Sequence, residues 1–316
     1  MKDLVHVPSS RTGRIVTRLL AASAAAVAFS SLAAPVLHHV HGLGFTADGK
    51  DVVVPSHFGL DTYRDGDWLR VHGPLHDFKG FASTAEAFYA SGHPAPQARL
   101  PDPIGLAKSS DGGRTWQLLD LAGEADFHVV AAGYRSKSVY VVNSAPNSKM
   151  PQPGLYVTFD DGKSWLRAAA RGLAGRIQSL AAHPDDRAVV VAGTTAGLFA
   201  SRDAGKRFRS VARGRAVSAV AVSMDGTRVY FVYEYTGRLL SVALNGGTPM
   251  AITLPPLMTD SVAYVAVSPT ALNTITVATR KRNVYLSTDA GVNWERIAKE
   301  GDDNVTNENN DKREPR

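Results

Sequence analysis

The chain has 316 residues, of which 44% are hydrophobic, and it carries 35 Lys and Arg against 29 Asp and Glu, a formal charge of +6. It contains no cysteine, which excludes disulfide bonds, a thiol nucleophile and a lipid anchor attached through cysteine. Without residues 1–33 the balance falls to 31 basic against 28 acidic side chains (35 − 4 and 29 − 1), and there is no stripe of Lys and Arg interleaved with aromatics, so nucleic acid is not expected as a partner.

The N-terminus has the pattern of a signal peptide. Basic residues precede an apolar stretch at 19–34, and Ser31 and Ala33 satisfy the small-x-small rule for cleavage. We predict a signal peptide over 1–33, with export to the periplasm or the exterior and no stable membrane span after cleavage. The alternative is an uncleaved membrane anchor, for which this stretch is short and rich in alanine.

Four related octets recur along the rest of the chain, and we refer to them as the Asp octets. They are SSDGGRTW at 109–116, TFDDGKSW at 158–165, SRDAGKRF at 201–208 and STDAGVNW at 287–294. Two segments, 59–68 and 237–247, fit the same pattern with altered turns. The units repeat every 40 to 50 residues or so, which is the length of a four-stranded propeller blade.

Each unit divides into four short runs of β-branched and aromatic residues separated by turn residues. We therefore predict an all-β fold, a six-bladed β-propeller over 38–298, with strands A, B, C and D ordered outward from a central channel. The polar segment 299–316 lacks apolar periodicity and is predicted to be a disordered tail.

The Asp octets resemble the Asp-box, or bacterial neuraminidase repeat, of sialidases and sortilin-type receptors. The resemblance implies that each octet lies on the hairpin between strands C and D, that its Asp accepts N–H groups of the turn, and that its aromatic packs between blades. On that basis the residues with a structural role are Asp111, Trp116, Asp160, Trp165, Asp203, Phe208, Asp289 and Trp294.

A closer resemblance extends over most of the chain after the leader. It is carried by HVHGLGF at 39, HDFKGF at 76, ASGHP at 90, LPDPIGLAKSSDGGRTW at 100 and GEADFH at 123. These segments are similar to a family of exported bacterial proteins labelled sialidase-like glycosyl hydrolases. That label follows from the repeats, so it adds little independent support for an activity.

Propeller geometry predicts where a site would lie. The starts of the A strands and the B–C loops share one face, which we call the channel mouth, and the Asp octets lie on the opposite face. Aligning the A strands places one ring of residues at the mouth: His41, Lys79, His128, Gln178, Ser218 and Ala263. A second ring, two residues earlier, points to the same side because side chains alternate with period two: His39, Asp77, Asp126, Arg176, Ala216 and Ser261.

The B–C loops add His57, His93, Asn143, Glu234 and Arg280 to the mouth. Eight of the ten histidines fall between 38 and 128, and most of them align to this face. The predicted ligand-binding residues are His39, His41, His57, Lys79, His93, His128, Arg176 and Arg280. The structural alternative is that propeller channels are wet, so that solvation alone accounts for a polar ring.

Three functions fit this pattern. The first is binding of a glycan or peptide at the mouth.

The second is a sialidase-type glycoside hydrolase, with Asp77 or Asp126 as the acid and Glu234 as a further carboxylate. In such an enzyme the substrate carboxylate could be bound by Arg176, Arg215 and Arg280. Against a hydrolase, the N-terminal Arg-Ile-Pro signature is missing, and Tyr233 and Glu234 are neighbours that point to opposite sides of a strand.

The third function is metal binding, and a divalent metal ion is the one cofactor that the sequence suggests. His39 and His41 lie about 6 to 7 Å apart along one strand face, so both imidazoles could bind a zinc or copper ion together with His128.

Overall fold

A computed structural model describes residues 37–302, which form 24 β-strands and no helix. The predicted signal peptide lies outside the described residues, as does the predicted tail from 303 onward. Within 37–302 no helix is present that could cross a membrane.

The strands form six separate four-stranded antiparallel sheets, which are blades 1 to 6 in chain order. The strands of blades 1 to 3 are β1 (Gly44–Phe45), β2 (Val52–Ser56), β3 (Gly59–Arg64), β4 (Asp67–Arg70); β5 (Asp77–Ser83), β6 (Phe88–His93), β7 (Leu106–Ser109), β8 (Gln117–Asp120); and β9 (Val130–Ala132), β10 (Val139–Asn143), β11 (Gly154–Thr158), β12 (Leu166–Arg167).

The strands of blades 4 to 6 are β13 (Ile177–Ala182), β14 (Val190–Thr194), β15 (Gly197–Ser201), β16 (Arg209–Arg213); β17 (Val217–Val222), β18 (Arg228–Tyr233), β19 (Arg238–Ala243), β20 (Met250–Ile252); and β21 (Val262–Val267), β22 (Ile275–Thr279), β23 (Val284–Ser287), β24 (Glu295–Ala298).

The first strand of each blade is the innermost. These six strands pack on one another in chain order, β1, β5, β9, β13, β17 and β21, and β21 returns to contact β1. Middle strands such as β2, β14 and β22 are buried along their whole length, because a neighbouring blade covers each face of the sheet. The six-bladed, all-β propeller predicted from the repeats is confirmed.

The ring closes without an exchanged strand, since blade 1 comes entirely from the beginning of the described chain and blade 6 entirely from its end. Trp68 Nε1 of blade 1 donates to the Ile297 carbonyl of blade 6 at 2.6 Å. The backbone N–H of Leu37 donates to the Gly301 carbonyl, and the Leu37 side chain is buried in the core between these two blades. Residues 299–302, predicted to begin the tail, are therefore hydrogen-bonded to the body of the propeller.

The four Asp octets connect strands C and D, as predicted. Asp111 accepts hydrogen bonds from the Thr115 N–H at 2.9 Å and the Thr115 hydroxyl at 2.6 Å, and Ser109 accepts from the Gly113 N–H at 2.8 Å. The same bonds to backbone N–H groups recur at Asp160, Asp203 and Asp289. Each carboxylate thus satisfies donors that the turn would otherwise leave to solvent.

The aromatic residue that ends an octet contacts the preceding blade. Trp165 Nε1 of blade 3 donates to the Asp120 carboxylate of blade 2, and Trp294 Nε1 of blade 6 donates to the Thr253 carbonyl after blade 5. Trp68 occupies the equivalent place in blade 1, whose C–D turn is the shorter Asp65–Gly66 turn and not an octet. Octets therefore stabilise both their own hairpin and the contact between blades.

The hydrogen bonds of the octets predict an effect on stability in acid. Bonds from Thr115 lower the pKa of Asp111 to about 2, and bonds from Ser164 lower the pKa of Asp160 to about 2. Since these values lie below those of unfolded Asp, the stabilisation is complete above about pH 5 and is lost as the pH falls towards 2. Asp111→Asn should lower the urea midpoint at pH 7, and its difference from the wild type should shrink at pH 3.

The control measurement is ligand binding per folded molecule. Asp111→Asn should leave it unchanged, because the octets lie on the face opposite the mouth. An equal difference in urea midpoint at both pH values would show that the ionised carboxylate does not stabilise this turn.

Candidate functional site at the channel mouth

β-Bulges shape the inner strands where they open at the channel mouth. In β5, β13, β17 and β21 the pairing with the next strand shifts by one residue at the same place. The residues skipped by the pairing are Lys79, Gln178, Ser218 and Ala263, all members of the ring found by alignment. Bulges re-aim side chains, so strict alternation does not hold here, yet Lys79 Nζ still lies 2.8 Å from the Asp77 carboxylate.

Three histidines of blade 1 meet at the mouth, and we call them the His cluster: His39, His41 and His57. One ring nitrogen of each lies within 4.8 Å of the others, and His41 Nε2 is 3.4 Å from His57 Nε2. The rings of His39 and His41 are stacked with centroids 5.8 Å apart, while His57 meets both edge-on. Burial lowers the pKa of His41 to about 4, with Lys79 and His57 adding to the effect, and burial also lowers the pKa of His39.

Asp77, at the start of blade 2, links this cluster to the next blade. Its carboxylate is 2.6 Å from His57 Nδ1 and 2.8 Å from Lys79 Nζ. Burial by itself raises the pKa of Asp77, but hydrogen bonds from Lys79 and His57 outweigh it and hold the pKa below its usual range. Asp77 is therefore an ionised group that orients the His57 ring.

A second group of histidines and acids lies between blades 2 and 3. His93 pairs across the strands with Asp77, and its Nδ1 is 2.6 Å from Asp102. That bond is the main reason why the pKa of His93 is raised. Asp126 Oδ2 is 2.7 Å from His128 Nε2 and 3.4 Å from His93 Nε2, whereas Asp126 Oδ1 is buried without a hydrogen-bond partner among the described residues.

Small residues let the blades approach closely here. A Cβ on Gly80 would lie 2.1 Å from the Phe127 carbonyl oxygen, and the Phe127 N–H donates to Ser91 Oγ at 2.9 Å. These contacts fix Asp126 and His128 beside blade 2.

The predicted metal ligands need a correction. His39 and His41 lie together as expected, but His128 is not in their cluster and contacts Asp126 instead. His57 is the third member of the cluster, because the His41 N–H donates to the Pro55 carbonyl and so holds residue 41 beside the B–C turn of blade 1.

Blades 4 to 6, with Val129 of blade 3, line a cavity of about 440 Å³ at the mouth. Glu234, whose side chain is 12% exposed, is held at both carboxylate oxygens, by Arg280 at 3.1 Å and by Gln178 Nε2 at 3.1 Å. The guanidinium of Arg280 lies over the ring of Tyr235, which is 77% exposed. The remaining lining residues are Val129, Arg176, Ile177, Ser218, Ala263 and Tyr264.

His39 and Arg280 both line an adjoining cavity, so the two halves of the mouth are continuous. Arg176 and Arg280 reach the mouth as predicted. Arg215 instead lies over the ring of Tyr233 and is not among the residues lining either cavity. Sequence analysis did not select Asp102 or Tyr235, although both lie in B–C loops; in the structure Asp102 contacts His93, and Tyr235 contacts Arg280.

A smaller cavity of about 240 Å³ lies on the opposite face, between blades 2 and 3. The polar groups at its centre are paired with one another: Asp161 accepts hydrogen bonds from Lys108 at 2.8 Å and from the Tyr89 hydroxyl at 2.6 Å. This pairing makes it a weaker candidate than the mouth.

No established family model matches the chain. A xyloglucanase of Hypocrea jecorina (strain QM6a) is 32% identical over 83 residues, which are 26% of this chain and 9% of that protein. Among solved structures, the GH74 enzyme of Niastella koreensis superposes with a TM-score of 0.58 at 17% identity, covering 84% of this chain and 46% of the enzyme.

A propeller in a nidogen–laminin complex superposes with a TM-score of 0.59 at 10% identity, over 78% of this chain and 92% of that one. At these identities the structural likeness shows the fold alone. The chain spans less than half of the GH74 enzyme and about a tenth of the xyloglucanase.

Proposed function

We propose that this chain is an exported Asp-box propeller of the sialidase-like group that binds a glycan at its channel mouth. The observation that carries the proposal is the arrangement of Glu234, Arg280 and Tyr235 around the cavity of blades 4 to 6. Glu234 and Arg280 form a fixed pair of acceptor and donor, which is suited to two neighbouring hydroxyl groups. The exposed ring of Tyr235 offers an apolar face on which a sugar ring could pack.

A short similarity to a curated protein supports the choice of sugar class. The relative that is 32% identical over 83 residues is named a xyloglucanase, so xyloglucan fragments are the first ligands to test. Export rests on the predicted signal peptide and places the protein in the periplasm or outside the cell. A peptide ligand is the alternative outcome of the same binding experiment.

The site favours binding over hydrolysis. A general acid needs a proton to donate, but the pKa of Asp77 is held below its usual range by Lys79 and His57. Glu234 is engaged at both oxygens, by Arg280 and Gln178. Asp126, with its buried unpaired oxygen, is the carboxyl group on which a hydrolase would depend. Hydrolysis is therefore the alternative function, and loss of turnover in Asp126→Asn tests it.

The binding test compares single variants by calorimetry with xyloglucan oligosaccharides and a wider glycan and peptide panel. Arg280→Ala should weaken glycan binding about tenfold or more, since it removes a charged donor and leaves Glu234 without its counter-charge. Glu234→Gln should weaken it to a similar degree. Arg202→Ala is the control, because Arg202 lies in the C–D hairpin of blade 4, on the opposite face, and donates to Asn245 in the C–D hairpin of blade 5.

Unchanged affinity in Arg280→Ala, or equal losses in Arg280→Ala and Arg202→Ala, would contradict binding at the mouth. Binding of peptides and of no glycan would replace the sugar proposal by the peptide alternative. Release of reducing sugar by the wild type and not by Asp126→Asn would establish the hydrolase.

A further inference from the structure

We propose that His39, His41 and His57 form a binding site for a divalent transition-metal ion of the zinc and copper class. The site lies on the blade 1 side of the mouth and does not depend on glycan binding by blades 4 to 6. The chain has no cysteine, and imidazole nitrogen suits zinc, copper and nickel.

The spacing of two nitrogens fits a shared ion. Zinc binds histidine nitrogen at about 2.0 to 2.1 Å, so two ligands of a tetrahedral ion lie about 3.3 to 3.4 Å apart. His41 Nε2 and His57 Nε2 are separated by 3.4 Å. His39 lies within 4.8 Å of both and is exposed, so a small rotation of its side chain brings it into range.

Asp77 fixes which nitrogen of His57 can bind. The 2.6 Å contact between Asp77 Oδ1 and His57 Nδ1 needs a proton between the two atoms, and since a carboxylate oxygen is the usual acceptor, His57 Nδ1 is the donor. The lone pair of neutral His57 is then on Nε2, which faces His41. A carboxylate that accepts from the distal nitrogen of a ligating histidine is the usual second partner in metal sites.

The same tautomer of His57 also accounts for its contact with His41. With its Nδ1 protonated, His57 accepts at Nε2, so His41 Nε2–H donates to it across the 3.4 Å contact. Metal binding requires the His41 proton to move to Nδ1, which frees a second lone pair in the same place. Three histidines leave the fourth position of a tetrahedral ion to water or to another ligand.

Lys79 sets the charge balance. Its ammonium lies 3.3 Å from His57 Nδ1 and 2.8 Å from Asp77, so Asp77 offsets a positive charge that would otherwise repel a cation. Lys79→Met should therefore tighten metal binding, whereas Asp77→Asn should weaken it about tenfold or more.

The experiment uses the mature chain without a histidine tag, stripped of metal and titrated with zinc chloride and, separately, copper(II) chloride by calorimetry. We expect one ion per chain, and a loss of affinity of about 100-fold or more in His57→Ala. His128→Ala is the matched control, since it removes a mouth histidine outside the cluster and should leave the affinity unchanged. Circular dichroism checks that each variant is folded.

Equal affinities in wild type and His57→Ala would overturn the proposal, as would a loss confined to His128→Ala. Glycan binding is measured in parallel with and without a chelator. A wild type that binds glycan but no metal would end this proposal alone, and one that binds metal but no glycan would end only the proposed function.

Discussion

Replacing Trp68 by alanine is expected to lower the free energy of unfolding by about 3 to 5 kcal/mol. The indole is 2% exposed, contacts the core shared by blades 1 and 6, and donates to the Ile297 carbonyl. The substitution leaves a cavity and an unpaired carbonyl at the one junction where blades distant in sequence must meet. A shift of about 10 °C in the thermal midpoint would correspond to this loss.

Two further variants separate the effect of the hydrogen bond from that of packing, and the closing junction from an ordinary one. Trp68→Phe keeps most of the apolar area and loses the hydrogen bond, so it should cost about 1 kcal/mol or somewhat more. Trp294→Ala, at the junction of blades 5 and 6, should cost less than Trp68→Ala because that indole is only partly buried. If Trp68→Ala were no more harmful than Trp294→Ala, ring closure would not depend on this contact.

Arg70→Ala should destabilise the protein by about 3 kcal/mol at neutral pH, because it removes the partner of a buried charge. Asp61 is fully buried in β3, and Arg70 Nε lies 2.9 Å from its carboxylate. Burial raises the pKa of Asp61 even with Arg70 present, and removing the guanidinium should raise it further. The folded variant then binds more protons than the unfolded one, so its deficit against the wild type should shrink as the pH falls.

Denaturant unfolding at pH 7 and pH 5 measures both effects. In the double variant Asp61→Asn with Arg70→Ala the buried charge is absent, and we expect it to be more stable at pH 7 than Arg70→Ala alone. A double variant no more stable than the single one would show that lost packing, and not the unpaired carboxylate, is responsible.

The fold could be predicted from the sequence because its signal is repeated. Each Asp octet supplies Ser or Thr, Asp and Gly at the positions that its turn requires, so 109–116 and three related segments mark the C–D hairpins directly. Blade 1 was recognisable from 59–68 although its turn is shorter than an octet, because a turn glycine and Trp68 remain.

The positions of the residues at the channel mouth could be predicted only in part. Alignment placed Lys79 and Gln178 at the mouth, but the β-bulges that re-aim them leave no mark in the hydrophobic pattern. The alignment also grouped His128 with His41. Aligned residues of different blades lie at the same level along the channel axis, but an alignment does not give the distance between them across the channel. His57 was named as a mouth residue, and only the folded turn brings its ring against His41.

The most direct test of a ligand site at the channel mouth is a crystal structure of the mature chain grown with a xyloglucan oligosaccharide. We predict a sugar ring against Tyr235 with hydroxyl groups bonded to Glu234 and Arg280. A saccharide bound on the face that carries Asp111 and the other octets, or an empty mouth at saturating oligosaccharide, would contradict it.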